Sequence, residues 1–163
     1  MIPINKNTVY LPSFTQDQDR KFALQAIEKN PYALKDLNEP LRADREMVLA
    51  AVKLHGLVLK YAAESLRADK EIILAAVKQD GSALEFADKT LKADREIVLE
   101  AVKQYGEALE FADETLREDR EIALIAIEGT PWALKYISLS LRKDPDIRKI
   151  AIDRNEDVSK LYV

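Results

Sequence analysis

Pairs of carboxylate side chains recur along this chain of 163 residues, each an aspartate followed two positions later by a glutamate. Two neighbouring carboxylates could bind a divalent cation, or act as the acid and the base of a glycosidase-like reaction. A catalytic pair needs one environment that separates its two pKa values, whereas these pairs recur in nearly identical sequence. An aspartate before an apolar segment, with a glutamate just after it, is also typical of a helix N-terminus. We therefore expect helix caps at Asp44/Glu46, Asp69/Glu71, Asp94/Glu96 and Asp119/Glu121.

His55 is the only histidine, and the chain has no cysteine. These two facts exclude a multi-histidine or cysteine-based zinc site, and paired-histidine acid–base chemistry, within one chain. The sequence contains no Gly-rich phosphate loop and no G-x-S-x-G element. We expect His55 to be a solvent-exposed turn residue, with contact to a ligand as the alternative. The chain is therefore predicted to be neither an enzyme nor a binder of a metal ion or cofactor.

A basic series and an aromatic series recur with the same spacing as the carboxylates. The basic series could follow a phosphate backbone, and the aromatic series could stack on bases. However, 25 Lys and Arg against 29 Asp and Glu give a net charge of −4, which disfavours a nucleic-acid partner. We expect salt bridges to nearby carboxylates from the first series and packing between repeats from the second. The basic series is Arg42, Arg67, Lys92, Arg117 and Arg142; the aromatic row is Tyr61, Phe86, Phe111 and Tyr136.

All of these series reflect one internal repeat. Shifting the chain by 25 residues against itself aligns aspartates from Asp19 to Asp144 without a gap. The same shift aligns leucines from Leu24 onward and alanines from Ala26 onward. A fixed period between about 20 and 50 residues is typical of stacked arrays. We number the repeats as units one to six, which begin at Asp19, Asp44, Asp69, Asp94, Asp119 and Asp144.

Each unit is predicted to hold two helices. In unit four, the apolar residues over Ile97–Val102 recur at spacings of three and four, which indicates a helix of about 10 to 12 residues after Asp94. This helix should end near Tyr105, because the equivalent positions read Asn-Pro, His-Gly, Asp-Gly and Thr-Pro, which are typical of a corner. A second, shorter helix is expected over about Gly106 to Glu114, followed by a return loop.

Helices this short are unstable alone, so each unit must cover the apolar face of the next. We therefore predict an all-α fold, a right-handed α-solenoid or superhelix of about six 25-residue helix-turn-helix repeats with capped ends. The chain should form a single domain over residues 1–163, with the repeats over residues 15–152.

The two ends differ from the repeats. Residues 1–14 do not match the unit and are expected to cap the first helices, with an exposed docking arm as the alternative. Residues 145–163 are expected to form a degenerate C-terminal cap. There Arg148 and Lys149 replace an apolar pair and Glu156 replaces the corner glycine, as a polar final unit requires.

The segment LKADREIVLEAVKQYGEALEFADETL, residues 91–116, has close copies in LRADKEIILAAVKQDGSALEFA and LRADREMVLAAVKLHGLVLKYA. These units resemble a family of short tandem repeats of unknown function from bacterial and protist proteins, typified by L-x-x-D-x-E-I-V-L-x-A-V-K-x-x-G-x-A-L-x-Y/F-A. The resemblance covers roughly residues 16–152 and departs at Pro31, Pro131 and the last unit. It implies a helical array and no catalytic activity. Family members in intracellular bacteria make a secreted effector an alternative to a cytoplasmic protein.

Function is expected where equivalent positions of the units differ, because the fold leaves those positions free. The most variable positions surround the corner between the two helices, and we call this surface the corner edge. Tyrosine and tryptophan there are the residue types most enriched at the energetic centres of interfaces. We predict that it binds a protein or peptide partner, with neutral variation at exposed turns as the alternative. Its candidate binding residues are Tyr32, His55, Leu57, Asp80, Tyr105, Glu107 and Trp132.

Three classes of function follow from these observations. A protein-interaction module ranks first, because extended stacked surfaces suit long ligands and enclose small substrates poorly. A structural spacer or self-assembling segment of a larger protein ranks second, and an RNA-binding array third because of the acidic charge. No apolar run approaches a membrane span, so we expect no membrane partner. We expect a cytoplasmic monomer rather than an oligomer.

Overall fold

The computed structural model describes residues 16–155 and residue 157, and every regular element in this part of the chain is helical. The predictions for residues 1–14, for Glu156 and for residues 158–163 lie outside the described residues. The α-helices are α1 (Gln16–Lys29), α2 (Glu39–Arg42), α3 (Arg45–Leu54), α4 (Lys70–Gln79), α5 (Lys89–Lys92), α6 (Arg95–Gln104), α7 (Glu114–Arg117), α8 (Arg120–Gly129), α9 (Leu139–Arg142) and α10 (Pro145–Arg154). The 3-10 helices are Pro31–Asp36, Gly56–Tyr61, Glu64–Ala68, Gly81–Phe86, Gly106–Phe111 and Pro131–Lys135.

The first helix of units two to six spans ten residues, as predicted, and begins directly after its aspartate. In unit four, Asp94 accepts hydrogen bonds from the backbone N–H groups of Glu96 at 3.0 Å and Ile97 at 3.3 Å. These N–H groups have no partner within the helix, so the carboxylate satisfies them. The predicted caps are thus confirmed. Unit one differs, because α1 begins at Gln16 and continues through Asp19, which is not a cap.

The second helix is shorter than predicted and is a 3-10 helix. In unit four it spans Gly106–Phe111 and does not reach Glu114. It ends there because Asp113 starts a new helix, accepting hydrogen bonds from the backbone N–H and the hydroxyl of Thr115 at 3.0 and 2.8 Å. A one-turn α-helix, α7, follows in the return loop. The prediction of two helices per unit therefore missed this short α-helix. Its signal in the sequence is an aspartate two residues before a threonine.

The units stack in chain order. Each ten-residue α-helix packs against the α-helix of the next unit, and each 3-10 helix that follows it packs against its counterpart in the next unit. One continuous core of buried apolar side chains runs through the stack. The predicted all-α solenoid is therefore confirmed. Equivalent core residues are fully inaccessible in units two to six, and these are Met47, Ile72, Ile97, Ile122 and Ile147.

The corner glycines are needed for contact between units rather than for an unusual turn. No glycine among residues 16–155 has a positive φ. A Cβ atom on Gly106 would overlap the carbonyl oxygen of Ala126 in the next unit and would lie 2.9 Å from the Cβ of Thr130. The missing side chain thus lets two units approach closely. The same close approach occurs at Gly56 to the Ala76 carbonyl and at Gly81 to the Ala101 carbonyl.

The return loops join the units through backbone hydrogen bonds. In each case an N–H group just after the 3-10 helix of one unit donates to a carbonyl in the return loop of the unit before. These bonds satisfy backbone groups that the short helices leave unpaired. The donor and acceptor pairs are Ala63 to Arg42 at 3.0 Å, Asp88 to Arg67 at 2.9 Å, Asp113 to Lys92 at 2.9 Å and Ser138 to Arg117 at 3.0 Å.

Helix α10 differs from the earlier helices on the side where they pack. Arg148 is exposed in α10, whereas the equivalent residues Val48, Ile73, Val98 and Ala123 are buried. Ile147 and Ala151 are still buried against unit five. Among the described helices, none combines the length and the apolar character that crossing a membrane requires.

Candidate functional site

The corner edge forms a row in the structure, because the 3-10 helices that begin at each corner contact one another in chain order. Its first part is a cluster of aromatic side chains. The Tyr32 hydroxyl and the His55 Nε2 lie 3.2 Å apart, and their rings meet edge to face with centroids 4.9 Å apart. The Tyr61 ring lies 6.4 Å from that of Tyr32.

His55 is therefore not the solvent-exposed turn residue that the sequence analysis expects. It is half-buried, and its Nδ1 has no hydrogen-bond partner among the described residues. The prediction is wrong because the Tyr32 side chain of unit one packs directly against the imidazole of unit two. The histidine thus contributes to the contact between two units.

Asp80 and its equivalents satisfy backbone groups at the corner. The Asp80 side chain accepts a hydrogen bond from the Ser82 N–H at 2.9 Å and caps the 3-10 helix Gly81–Phe86. Thr130 occupies the same position in unit five, and its hydroxyl accepts a hydrogen bond from the Gly106 N–H of unit four at 3.2 Å. Equivalent residues thus serve the fold in different ways, one within its unit and one between units.

Tyr105 lies beside a charged cluster formed by units four and five. The Glu107 carboxylate is 2.8 Å from the Lys135 Nζ, which also lies 4.6 Å from the centre of the Tyr136 ring. Burial, together with the negative charge of Glu107, raises the pKa of the Tyr105 hydroxyl. The hydrogen bond to Glu107 raises the pKa of Lys135. Near pH 7 the cluster therefore presents a neutral phenol and a stable ion pair.

Two large apolar side chains of the corner edge are exposed to solvent. Leu54, which occupies the variable position directly before the corner residue His55, is 52% exposed, and Tyr105 is 40% exposed. Leu57 and Trp132 are half-buried and pack against the core. The remaining candidates have partners within the stack, and these are Tyr32, His55, Asp80 and Glu107.

The N-terminal ends of the α-helices carry an ion-pair ladder that the sequence analysis did not identify. The basic residue directly after each aspartate reaches the carboxylates of the next unit. Lys70 Nζ, for example, lies 2.8 Å from Asp94 and 2.9 Å from Glu96. A signal was present, because Lys or Arg follows the aspartate in units one to five. The cations of the ion-pair ladder are Arg20, Arg45, Lys70, Arg95 and Arg120.

The ion-pair ladder keeps its aspartates ionised. The hydrogen bond from Lys70 lowers the pKa of Asp94, and the hydrogen bond from Arg45 lowers the pKa of Asp69. A carboxylate held in this way is a poor general acid near pH 7. No group of three His, Asp or Glu side chains suited to a metal ion occurs in the part of the chain that the structure describes.

The basic side chains of the return loops mostly bind backbone carbonyls. The prediction that they form salt bridges to neighbouring carboxylates is therefore wrong for most of them. The carbonyls at the end of a 3-10 helix lack partners within the helix, and a cation satisfies them. Arg42 alone among the described members pairs with a carboxylate, that of Glu39 at 2.7 Å. The carbonyl contacts are Arg67 to Lys60 at 2.6 Å, Lys92 to Glu85 at 2.7 Å, and Arg142 to Ile137 at 3.2 Å and to Lys135.

The aromatic row is half-buried and packs against the core, as the packing prediction requires. Its two ends carry a lysine over the ring, with the Lys60 Nζ 4.9 Å from the centre of Tyr61 and Lys135 placed likewise over Tyr136. Beside Phe86 lies a groove of about 280 Å³. Its lining residues are Glu64, Arg67, Glu85, Phe86, Ala87, Asp88 and Lys89.

Comparison with protein families gives one result. A family model described as a domain of unknown function (DUF4116) matches the chain three times in tandem, over residues 19–67, 69–117 and 119–161. Each match covers about two consecutive 25-residue units. The resemblance to a tandem repeat family of unknown function is thereby confirmed. No curated protein and no solved structure matches the chain.

Proposed function

We propose that this chain, which belongs to the family of domains of unknown function DUF4116, is a non-catalytic scaffold that binds a protein or peptide along its corner edge. The observation that carries the proposal is the exposure of Leu54 and Tyr105 on that edge. Exposed apolar side chains of this size cost solvation free energy, and contact with a partner would bury them. Tyrosine in particular is enriched among the residues that dominate binding energy.

The shape of the molecule supports a long ligand rather than a small one. A stack of similar units presents an extended surface, and one unit adds one contact point. The unit-to-unit differences at Leu57, Glu107 and Trp132 give each contact point its own chemistry. Nucleic acid fits this edge poorly, because Lys135 is already paired with Glu107 and Asp80 adds further negative charge.

The proposal is tested by affinity capture from nuclease-treated cell lysate followed by quantitative mass spectrometry. The bait is the whole chain, compared with a Leu54→Ala, Tyr105→Ala variant. The matched control is Leu139→Ala, because Leu139 is 71% exposed on α9, away from the corners. All three proteins should show the same helical circular dichroism, since the substituted side chains are exposed.

We expect at least one partner protein to be retained by the natural chain and by Leu139→Ala and to be lost from the corner-edge variant. A partner retained equally by all three would move the interaction to another surface. If no partner is captured, a structural spacer becomes the better assignment. A parallel capture uses lysate without nuclease treatment. RNA that binds the chain there at low salt and is released at high salt would favour the nucleic-acid alternative.

A further inference from the structure

The side of α4 that faces away from the core carries a groove of about 360 Å³. Its floor is apolar, because Leu74 and Ala75 are half-buried and pack against the core. Most of the lining comes from α4 at spacings of three and four, which places those residues on one side of the helix over about two turns. The lining residues are Lys53 from α3, and Glu71, Leu74, Ala75, Lys78 and Gln79 from α4.

One end of this groove is cationic. Lys53 and Lys78 hold equivalent positions in the last turns of α3 and α4, and both are exposed. Neither ammonium group has a hydrogen-bond or ion-pair partner among the described residues. The one carboxylate of the lining is that of Glu71, which lies in the first turn of α4 and is bound by Arg45, a cation that also binds Asp69. The lysine end of the groove therefore has no carboxylate of its own.

Unit four shows how a carboxylate satisfies a lysine at this position. Lys103 is the equivalent of Lys78, and its Nζ lies 2.9 Å from the carboxylate of Glu100, about one turn before it. The residue equivalent to Glu100 is an alanine in units two and three, Ala50 and Ala75. These two units therefore have the lysine and lack the carboxylate. A carboxylate supplied by a partner would take the place that Glu100 fills in unit four.

We infer that this groove binds an amphipathic helix of a partner protein, with apolar side chains over Ala75 and carboxylates at Lys53 and Lys78. The inference rests on the proposed function and names the chemistry of the partner. The groove meets the corner edge, because Gln79 at its end occupies the position of Leu54 in unit two. Neighbouring packed helices lie about 8 to 10 Å apart, so the two lysines can flank a docked helix, which is about 10 Å wide. Helices that dock in this way present apolar residues three and four positions apart.

The inference is tested by fluorescence anisotropy with a labelled peptide, titrated with the full chain. The peptide has leucines along one helical face and glutamates on both sides of that face, and a covalent staple holds it helical because short helices are unstable alone. The first comparison peptide has glutamine in place of glutamate, and the second has the same composition in an order without an apolar face. The natural chain should bind the first peptide at least several-fold more tightly than either comparison, because only that peptide offers both the apolar face and the carboxylates.

The decisive variant is Ala75→Glu, which gives unit three the carboxylate that unit four already has. The introduced carboxylate should pair with Lys78 as Glu100 pairs with Lys103, and it should also fill part of the groove. The matched control is Gln25→Glu, because Gln25 is exposed at the equivalent position of unit one, two units away. Both variants introduce the same residue at the same position of the repeat and change the net charge equally.

We expect Ala75→Glu to lose about tenfold or more in affinity for the peptide and its control to lose less than about twofold. A second variant, Lys53→Gln, Lys78→Gln, should weaken binding to a similar extent, because it removes the two cations. Its control is Lys21→Gln, Lys143→Gln, which removes two other exposed lysines and should bind as the natural chain does.

Circular dichroism should show equal helix content in all variants, so that a lost affinity is not a lost fold. Equal losses in the two glutamate variants, equal binding of either comparison peptide, or no binding by the natural chain would each overturn the inference. If the peptide fails to bind while capture still depends on Leu54 and Tyr105, the inference fails and the proposed function stands. If the peptide binds as expected while capture does not depend on those two residues, the assignment to the corner edge fails instead.

Discussion

The contacts between units differ at the two ends of the α-helices, because one end repeats the same contact and the other varies it. At the N-terminal end, the ion-pair ladder repeats one contact from each of units one to five to the next unit, as when Arg45 reaches Asp69 at 2.7 Å and Lys70 reaches Asp94 at 2.8 Å. At the C-terminal end, the corner edge uses a different contact each time. There Tyr32 meets His55 in one place, and Glu107 meets Lys135 in another.

This difference distinguishes the contacts that stacking of the units requires from the contacts that can vary between units. A contact that recurs in each unit lies between backbones or caps that have the same geometry everywhere, so one residue type satisfies it. A contact that changes from unit to unit lies where several side chains can fill the same space. Substitutions at recurrent contacts should therefore cost stability, whereas substitutions on the corner edge should mainly alter binding.

The largest effect is expected at the recurrent close approach of the glycines. Gly81→Ala places a Cβ atom against the Ala101 carbonyl and 3.1 Å from the Tyr105 Cβ, so units three and four must move apart. We expect a loss of about 2 to 3 kcal/mol in the free energy of unfolding. Urea denaturation followed by circular dichroism measures this loss.

Gly129→Ala is the matched control, because nothing lies within 4 Å of a Cβ added there and its φ is not positive. We expect it to gain about 0.5 to 1 kcal/mol by restricting the unfolded chain. Equal destabilisation by the two alanines would contradict a specific role of the corner glycines in the contact between units.

A smaller effect is expected where caps and charges combine in the ion-pair ladder. Asp94→Ala removes the cap of α6 and should cost about 1 to 2 kcal/mol, whereas Asp94→Asn keeps the cap and should cost less than half of that. Chemical denaturation at pH 7 compares the two. A loss as large for asparagine as for alanine would mean that the charge, and not the cap, stabilises the helix.

The ion-pair ladder also predicts the dependence of stability on pH. The pKa of Asp69 and Asp94 lies below the ordinary value of 3.8 in the folded chain, because of the hydrogen bonds from Arg45 and Lys70. The unfolded chain therefore binds more protons on acidification, so this stability is present above about pH 4 and is lost as the pH falls through the folded values. Asp69→Asn, Asp94→Asn should unfold less steeply below pH 4 in a pH titration. An unchanged slope would contradict the coupling.

The smallest effect is expected on the corner edge itself. Tyr32→Phe removes the hydroxyl that lies 3.2 Å from the His55 Nε2 but keeps the ring contact. We expect a loss of about 0.5 to 1 kcal/mol in the free energy of unfolding. Thermal denaturation measures it beside Leu54→Ala, which should change stability by less than about 0.5 kcal/mol. A loss at Tyr32 as large as at Gly81 would place the corner edge among the recurrent contacts and break the comparison.

Much of the fold could be predicted from the sequence, and the site could be predicted only in outline. The helix starts were predictable, because Asp94 and its equivalents cap the next residues through local hydrogen bonds. The second helix was predicted to be too long, because Asp113 accepts a hydrogen bond from the Thr115 N–H and begins another helix there. The corner edge was identified by its variation, but nothing local shows that Tyr32 covers His55, because the two lie in different units.

The sequence by itself determined the 25-residue period, the ten-residue helices, their caps and the apolar face that each unit must bury. These features depend on residues within one unit, and local hydrogen bonds and periodicity specify them. Only the tertiary structure showed why Gly106 must be a glycine, that Lys70 reaches Asp94, and that Tyr32 packs on His55. Those contacts join residues about one unit apart, and their geometry exists only after the units have stacked.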